Sequence, residues 1–551
     1  MKYFTWSFIV VLGSWMWGSQ DNTKAIQHLH FAPVQDTMKH IELRSFDRLG
    51  YRADNDSSKF RTVVGHVKAL HEGTWFFCDS AIYNIKERKL EAFGNIHIND
   101  GDSIHTYGDY LRYHADRRYA YLQKNVRLTD GKAVLTTNEL EYDVALKIGI
   151  YKNGGKVVNG KSVLTSEEAY YYSDIKDAYF KRNVVLNDPQ YNLKADSLLY
   201  NLTTETARFI TKTTIIDSSK RKITTSEGYY DLKNGAAQFG LNPVIEDGAV
   251  TVTGNKIAFD EKTGISQAEG NAVLIDTAQG ITILANQLFS NRNSGALLAT
   301  KKPLLIIKQK TDSIYVAADT LFSGKLSDLA TLRDSTNADT LKGLTVVNTE
   351  SLKDKKDTAA SDTASRYFEA YRNVRIFSDS LQAVCDSLFY SGKDSIFRMF
   401  RDPVAWANKT QISGDTMYLY TLNKQPLRAY VFNNAIAVNE TAKELYNQIK
   451  GFTINAYFIN GNIDYIRAKG EAESIYYVMD DDSAYVGTNR MTADAIDMRF
   501  DSTKELSQIA FINQPKGTQT PIKQVNVAEM RLRGFRWLEA RRPKTKYELF
   551  E

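Results

Sequence analysis

Apolar and polar residues alternate with period two through most of the chain, in short runs separated by polar or glycine turns. That periodicity predicts β-strands with one buried and one wet face. Asn138-Glu139-Leu140-Glu141-Tyr142 shows it: Leu140 and Tyr142 point one way, Glu139 and Glu141 the other. The run belongs to a repeat of the form D-x-L-x-Y. Copies begin at Asp47, Asp79, Asp109, Asn138, Glu167 and Asp196, with weaker ones at Ser226, Asn255, Asn286 and Asp319. Successive copies start 32, 30, 29, 29, 29, 30, 29, 31 and 33 residues apart. A second pattern lies between them, as in Gly94-Asn95-Ile96-His97-Ile98, Lys124-Asn125-Val126-Arg127-Leu128, Arg182-Asn183-Val184-Val185-Leu186 and Gly270-Asn271-Ala272-Val273-Leu274. Pro243, Pro303 and Pro403 take the Asn place in three further copies. Each unit therefore holds at least two strands.

A unit of about 30 residues cannot bury such a face alone, so neighbouring units must stack and share one apolar interior. The expected fold is all-β, an elongated stacked structure of solenoid-like repeats. With strands ~4.8 Å apart, a dozen two-strand units reach on the order of 60 to 120 Å. Cys78 and Cys385 occupy equivalent places in distant units, and a disulfide needs Cα atoms within about 7 Å, so the two should not be bridged.

The array spans residues 41–323 and is interrupted at 324–366. That stretch has no aromatic residue and reads as a flexible, low-complexity insertion. A less regular β region follows over 367–520, with repeat starts at Asp386 and Asp415 and the second pattern at Asn373-Val374-Arg375-Ile376. A short helix is expected over Thr441–Lys450, with strands around 454–466 and 473–478. Residues 521–551 form a basic tail with Arg531, Arg533, Arg536, Arg541, Arg542 and Lys544, read as solvated or as meeting anionic lipid.

Composition narrows the class. The chain has 551 residues, 43% hydrophobic, 25% charged and 12% aromatic, with 32 Tyr and only 9 Pro. This excludes a disordered chain and a polytopic helical membrane protein, and favours regular strands. A net charge of +5 is too small for a nucleic-acid binder of this length. Residues 1–20 have the layout of a secretory signal peptide: Lys2, an apolar stretch to Trp17, then Gly18, Ser19 and Gln20. An exported protein is expected, with an uncleaved anchor as the lesser alternative.

Apparent catalytic motifs dissolve on inspection. Gly155-Lys156-Val157-Val158-Asn159-Gly160-Lys161-Ser162 satisfies G-x-x-x-x-G-K-[ST], but a phosphate loop needs a helix after it and the repeat places a strand there. All eight His lie at or before His114, so a triad or His-rich metal site would have to sit in the N-terminal fifth, where alternation scatters His66, His71, His97 and His105 between faces. Asp480-Asp481-Asp482 lacks the alternate ligands of a calcium loop and reads as a turn. The acid opening each repeat copy recurs regularly, whereas catalysis needs one special pair. No catalytic residue, metal site or cofactor is expected.

Cys78-Asp79-Ser80-Ala81, Glu91-Ala92-Phe93-Gly94-Asn95-Ile96, Tyr107-Gly108-Asp109-Tyr110-Leu111 and Lys124-Asn125-Val126-Arg127-Leu128 resemble the OstA-like (organic solvent tolerance) family, the periplasmic lipopolysaccharide-transport bridge proteins, in a large version like that of Bacteroidetes-type bacteria. The resemblance is strongest from about Ile41 to Thr320. It implies a twisted β-jellyroll whose apolar groove shields the acyl chains of lipid A between the membranes, without catalysis. The implied partners are lipopolysaccharide, an outer-membrane assembly protein, and other jellyroll components or a second copy joined through the end strands. The candidate lining residues are Leu111, Tyr113, Val126, Leu128, Leu140, Tyr142, Val184, Leu186, Leu198 and Tyr200. If these only pack against one another, the rival reading is an exported structural or adhesive β-solenoid with a closed core. Alternation alone does not separate the two.

Overall fold

The computed structural model describes residues 41–550, apart from 56–57, 102–103, 309–312, 328, 330–365, 423–424, 481, 483 and 502–505. The expected signal peptide and most of the expected insertion lie outside these residues. Forty strands among the described residues join in one continuous antiparallel array. The chain runs up and down through strands such as Thr74–Asn84, Lys89–Asp100, Ile104–His114, Tyr119–Thr129 and Ala133–Asp143, each paired with the next. Each strand is bent near its middle. Elsewhere the bend splits it in two, as in Ile148–Tyr151 with Gly155–Asn159. One half of every strand thus lies in a first wall and the other half in a second, and the walls meet at the bend like a folded sheet. Alternation puts one set of side chains between the walls, where a single core runs from Val63 to Met498.

The two sequence patterns are the two sides of this fold line. In the second pattern, two consecutive residues take positive φ: Lys124 (62°) and Asn125 (52°), Arg182 (59°) and Asn183 (53°), Arg372 (62°) and Asn373 (50°), Asn433 (60°) and Asn434 (53°). Two left-handed residues in a row interrupt the pairing and turn the strand, with a register shift there in each long pair, for instance between Gln123 and Val126. Asn tolerates that conformation better than most residues. Its side chain also donates to the acid opening the neighbouring D-x-L-x-Y copy: Asn95 to Asp79 at 2.9 Å, Asn125 to Asp109 at 2.6 Å, Asn434 to Asp415 at 3.0 Å. Gly94 takes the first left-handed place without strain at φ +75°, and a Cβ there would sit 2.3 Å from Asp79 Oδ2 and displace that carboxylate. The proline copies depart from the expected alignment. Proline cannot take positive φ, so the left-handed pair moves one residue earlier, to Leu241 and Asn242, Lys301 and Lys302, and Arg401 and Asp402.

Two further expectations change at the C-terminal end. Thr441–Lys450 is not helical: the strands Gln425–Ala442 and Leu445–Ile459 form a hairpin through it. Its Ala, Lys, Glu, Leu and Gln favour a helix locally, but pairing on both sides overrides that preference. Residues 522–550 are not a free tail. They run as a strap over the outer face of the first wall, burying Leu532 and Leu549 and packing Phe535 and Trp537 around Tyr446. Three buried glutamines hold the strap. Gln448 donates to Met530 O at 3.0 Å and accepts from Leu532 N at 2.9 Å. Gln411 does the same for Arg536 O and Leu538 N, both at 2.7 Å. Gln382 Oε1 accepts from Arg542. Val404–Ala407 is accordingly buried on both faces.

Candidate functional site

The ten residues expected to line the interior all point into it, and all are at most 3% exposed. They belong to the half of the array before Gly240, where the space between the walls is filled with side chains. Leu128 lines a small cavity there, of about 20 Å³. The free edges of the walls are also joined in this half, and the repeat tyrosines supply many of the links. Tyr113 OH bonds His71 at 2.8 Å, Tyr142 donates to Asp100 at 3.1 Å and Tyr171 donates to Asp130 at 3.3 Å. Asn159 donates to Leu202 O at 3.1 Å. Ion pairs add Glu72–Arg118 at 3.0 Å and Asp130–Lys176 at 3.1 Å. Each such link joins residues about forty apart in sequence, the offset between facing edges. Asp130 illustrates the electrostatics: burial opposes its ionised form, but the Ala133 and Lys132 N–H groups and the Lys176 ammonium outweigh it and hold the carboxyl below its ordinary value.

The last full link of this series is a half-buried cluster, with Tyr191, Asp217 and Tyr230 buried and Glu261 at the surface. Arg221 pairs with Asp217 and Glu261, each at 2.9 Å, and lies 4.5 Å over the Phe259 ring. Tyr230 donates to Glu261 at 2.8 Å, and Tyr191 packs edge-on against Tyr230. Burial, with the bonds to Tyr191 and Glu261, pushes the Tyr230 hydroxyl far above its ordinary pKa, so it stays a proton donor.

Beyond this cluster the walls part around a cavity of about 960 Å³. Its apolar lining comes from both walls and includes Val252, Ile257, Phe259, Leu274, Ile281, Ile283, Leu288, Leu297, Leu305, Ile307, Phe368 and Phe397. Several of these, including Val252, Leu274, Ile281, Leu297, Ile307 and Phe368, are only partly buried. The sequence explains why space opens here. The last repeat position reads Tyr113, Tyr142, Tyr171, Tyr200 and Tyr230, then changes to Phe259, Ser290 and Ser323, all three of which line the cavity. Replacing a ring that spans the interior by a serine removes both the filling and the link. Tyr390 restores the pattern at the far end. A smaller cavity of about 260 Å³ continues past Phe397 to Ser380 and Gly461, where the edges meet again. A Cβ on Gly461 would come within 3.0 Å of Ser380 Cβ, and Asn408 bonds Asn462 at 3.2 Å. The Tyr-to-Ser change was the available signal for this site, and alternation alone, which treats all interior positions alike, passes over it.

The mouth is polar. Asp217, Arg221, Asp247, Asp260, Glu261, Asp276, Arg292 and Arg366 surround it, and Arg366 donates to Gly295 O at 2.7 Å and to Ser323 Oγ at 3.2 Å. The arrangement suits an elongated apolar ligand with a polar end. Among the described residues no group of three His, Cys, Asp or Glu is placed to hold a metal. His97 stacks on Tyr107 and His105 on the outer face, and His66 bonds Asp47 at a bend. Gly155–Asn159 and Ser162–Ser166 form a hairpin with Lys161 exposed in its turn, so the phosphate-loop lettering is a strand turn. Cys78 and Cys385 are buried and free. No helix among the described residues is long and apolar enough to cross a membrane.

Residues 38–196 match the family model of OstA-like proteins. No curated protein matches the chain. The matched segment falls within the linked, tightly packed half, and the cavity lies after it in the same array of bent strands.

Proposed function

From a chain whose residues 38–196 are OstA-like, we propose a non-enzymatic carrier of lipopolysaccharide, which holds lipid A acyl chains between its two walls during passage from the inner to the outer membrane. The observation that carries this reading is the apolar cavity around Val252, Ile281, Leu297 and Phe368. Each buried CH₂ contributes about 0.8 kcal/mol, so a dozen give roughly 10 kcal/mol without any specifically placed polar group. The cavity is the resting seat of the chains. Leu111, Tyr113, Val126, Leu128, Leu140, Tyr142, Val184, Leu186, Leu198 and Tyr200 lie on the same interior strip in the linked half, where lipid contact would require the edge links to part. Periplasmic location, and contacts with an outer-membrane assembly protein or with jellyroll proteins through the end strands, belong to the same reading.

Purified, delipidated protein should bind lipid A saturably, and Leu297→Asp should weaken binding by placing an unpaired carboxylate in the cavity. Wild-type protein that binds no lipid would contradict the proposal. The second reading, a closed-core exported scaffold, draws on the full packing before Gly240, and the same absence of binding would favour it.

A further inference from the structure

The cavity is stoppered along the axis of the array at both ends. Toward the N-terminus, Ile223, Tyr230 and Phe239 are fully buried between the walls, and the Arg221–Glu261 pair locks the edges over them. Toward the C-terminus, Met417, Val431 and Ile454 are likewise fully buried, behind the Ser380–Gly461 and Asn408–Asn462 contacts. An acyl chain sliding along the axis would have to part packed side chains at either end. Between these two closures the cavity lining reaches both free edges, to Gln279 on the first wall and Asn293 on the second. The partly buried Leu297 and Ile281 lie just inside.

We propose that an acyl chain enters and leaves this cavity sideways, through the edge bounded by Arg221–Glu261 and Ser380–Gly461, and does not travel end to end through the array. The inference rests on the carrier reading and adds the route. In it, Arg221 and Glu261 act as a gatepost: they fix where the opening stops and how far a chain extends toward the N-terminus. The polar groups at the mouth, Arg292 and Arg366 among them, then meet the headgroup while the chain lies inside.

The native thiols permit a clean test, because burial and then the neighbouring Asp79 and Asp386 charges push Cys78 and Cys385 up to about 12, so maleimides at neutral pH should mark only introduced cysteines. Gln279→Cys and Asn293→Cys would each carry a polyethylene-glycol maleimide, and uptake of a fluorescent long-chain fatty acid would be followed by stopped flow. Sideways entry predicts severalfold slower uptake with either label. The same label on Lys86→Cys, at the linked edge, or on Leu49→Cys, at the N-terminal end of the array, should leave the rate unchanged. Circular dichroism of each conjugate establishes that the β array is intact. Unchanged uptake with both rim labels, or slowing by the Leu49→Cys label, would overturn the route. Absence of uptake by unlabelled protein would overturn the carrier reading itself, and is separable because no label is present.

Discussion

Asn125 donates from Nδ2 to Asp109 Oδ2 at 2.6 Å, and this bond joins the two sequence patterns from which the whole array is built. It stands at the fold line, where Lys124 and Asn125 are both left-handed. Asn125→Val should therefore cost more than the bond alone: roughly 1 kcal/mol for the lost bond and about 1–2 kcal/mol for a β-branched residue at positive φ. Urea unfolding of a fragment or of the full chain should show Asn125→Gly less damaging than Asn125→Val, since glycine loses the bond and keeps the turn. Equal stability of all three proteins would contradict this account of the bend.

That bond also marks how far the sequence could be read. Period-two alternation and the regular copies gave the all-β stack, because a strand with one apolar face has few other ways to bury it. They gave the interior direction of Leu140 and Tyr142 as well. They did not reveal that Asn125 and Asp109 bond each other, since spacing does not say which residues meet across strands. The strap was hidden for a similar reason. Gln382, Gln411 and Gln448 are far apart in sequence and look like surface amides until residues 522–550 lie over them. The unbroken apolar run Val404-Ala405-Trp406-Ala407 was its one local trace, as strands covered on both faces lose their alternation.

The repeat tyrosine should control the cavity. Ser290→Tyr with Ser323→Tyr restores the residue found at Tyr142 and Tyr171 and should fill the space between the walls. Lipid A binding should fall severalfold in titration while the circular dichroism spectrum stays that of a β protein. Undiminished binding in a folded double variant would show that the cavity is not the seat.

The strap should detach when its glutamines are removed. Gln411→Ala leaves the half-buried Arg536 carbonyl and Leu538 N–H without their partner, at about 1 kcal/mol for each lost bond. Limited proteolysis should then release the C-terminal residues sooner, with a change in Trp537 fluorescence. Acid should act on the same contact. Burial opposes the ionised form of Asp402, but Arg536 and Arg541 outweigh it and depress its pKa. A depressed carboxylate stabilises the fold above its unfolded value of about 4 and loses that contribution as pH falls through the native value. The strap should hold from neutral pH down to about 4 and loosen only below it. Loosening at pH 6 would contradict the assignment.

The phosphate-loop lettering makes a negative prediction. Lys161→Ala should leave stability and lipid binding unchanged, and isothermal titration of the wild type with ATP should show no saturable heat. Specific ATP binding abolished by the substitution would reopen an enzymatic reading.

The most direct test of the central claim places a photoactivatable amino acid at one interior position at a time and irradiates the protein with bound lipid A. The account predicts strong labelling from position 290 or 297, at the cavity, weak or no labelling from 142, within the packed half, and none from 139, on the outer face. Labelling from 142 equal to that from 297 would contradict a cavity confined to the parted walls, and labelling from none of the four in a folded protein would contradict lipid carriage altogether.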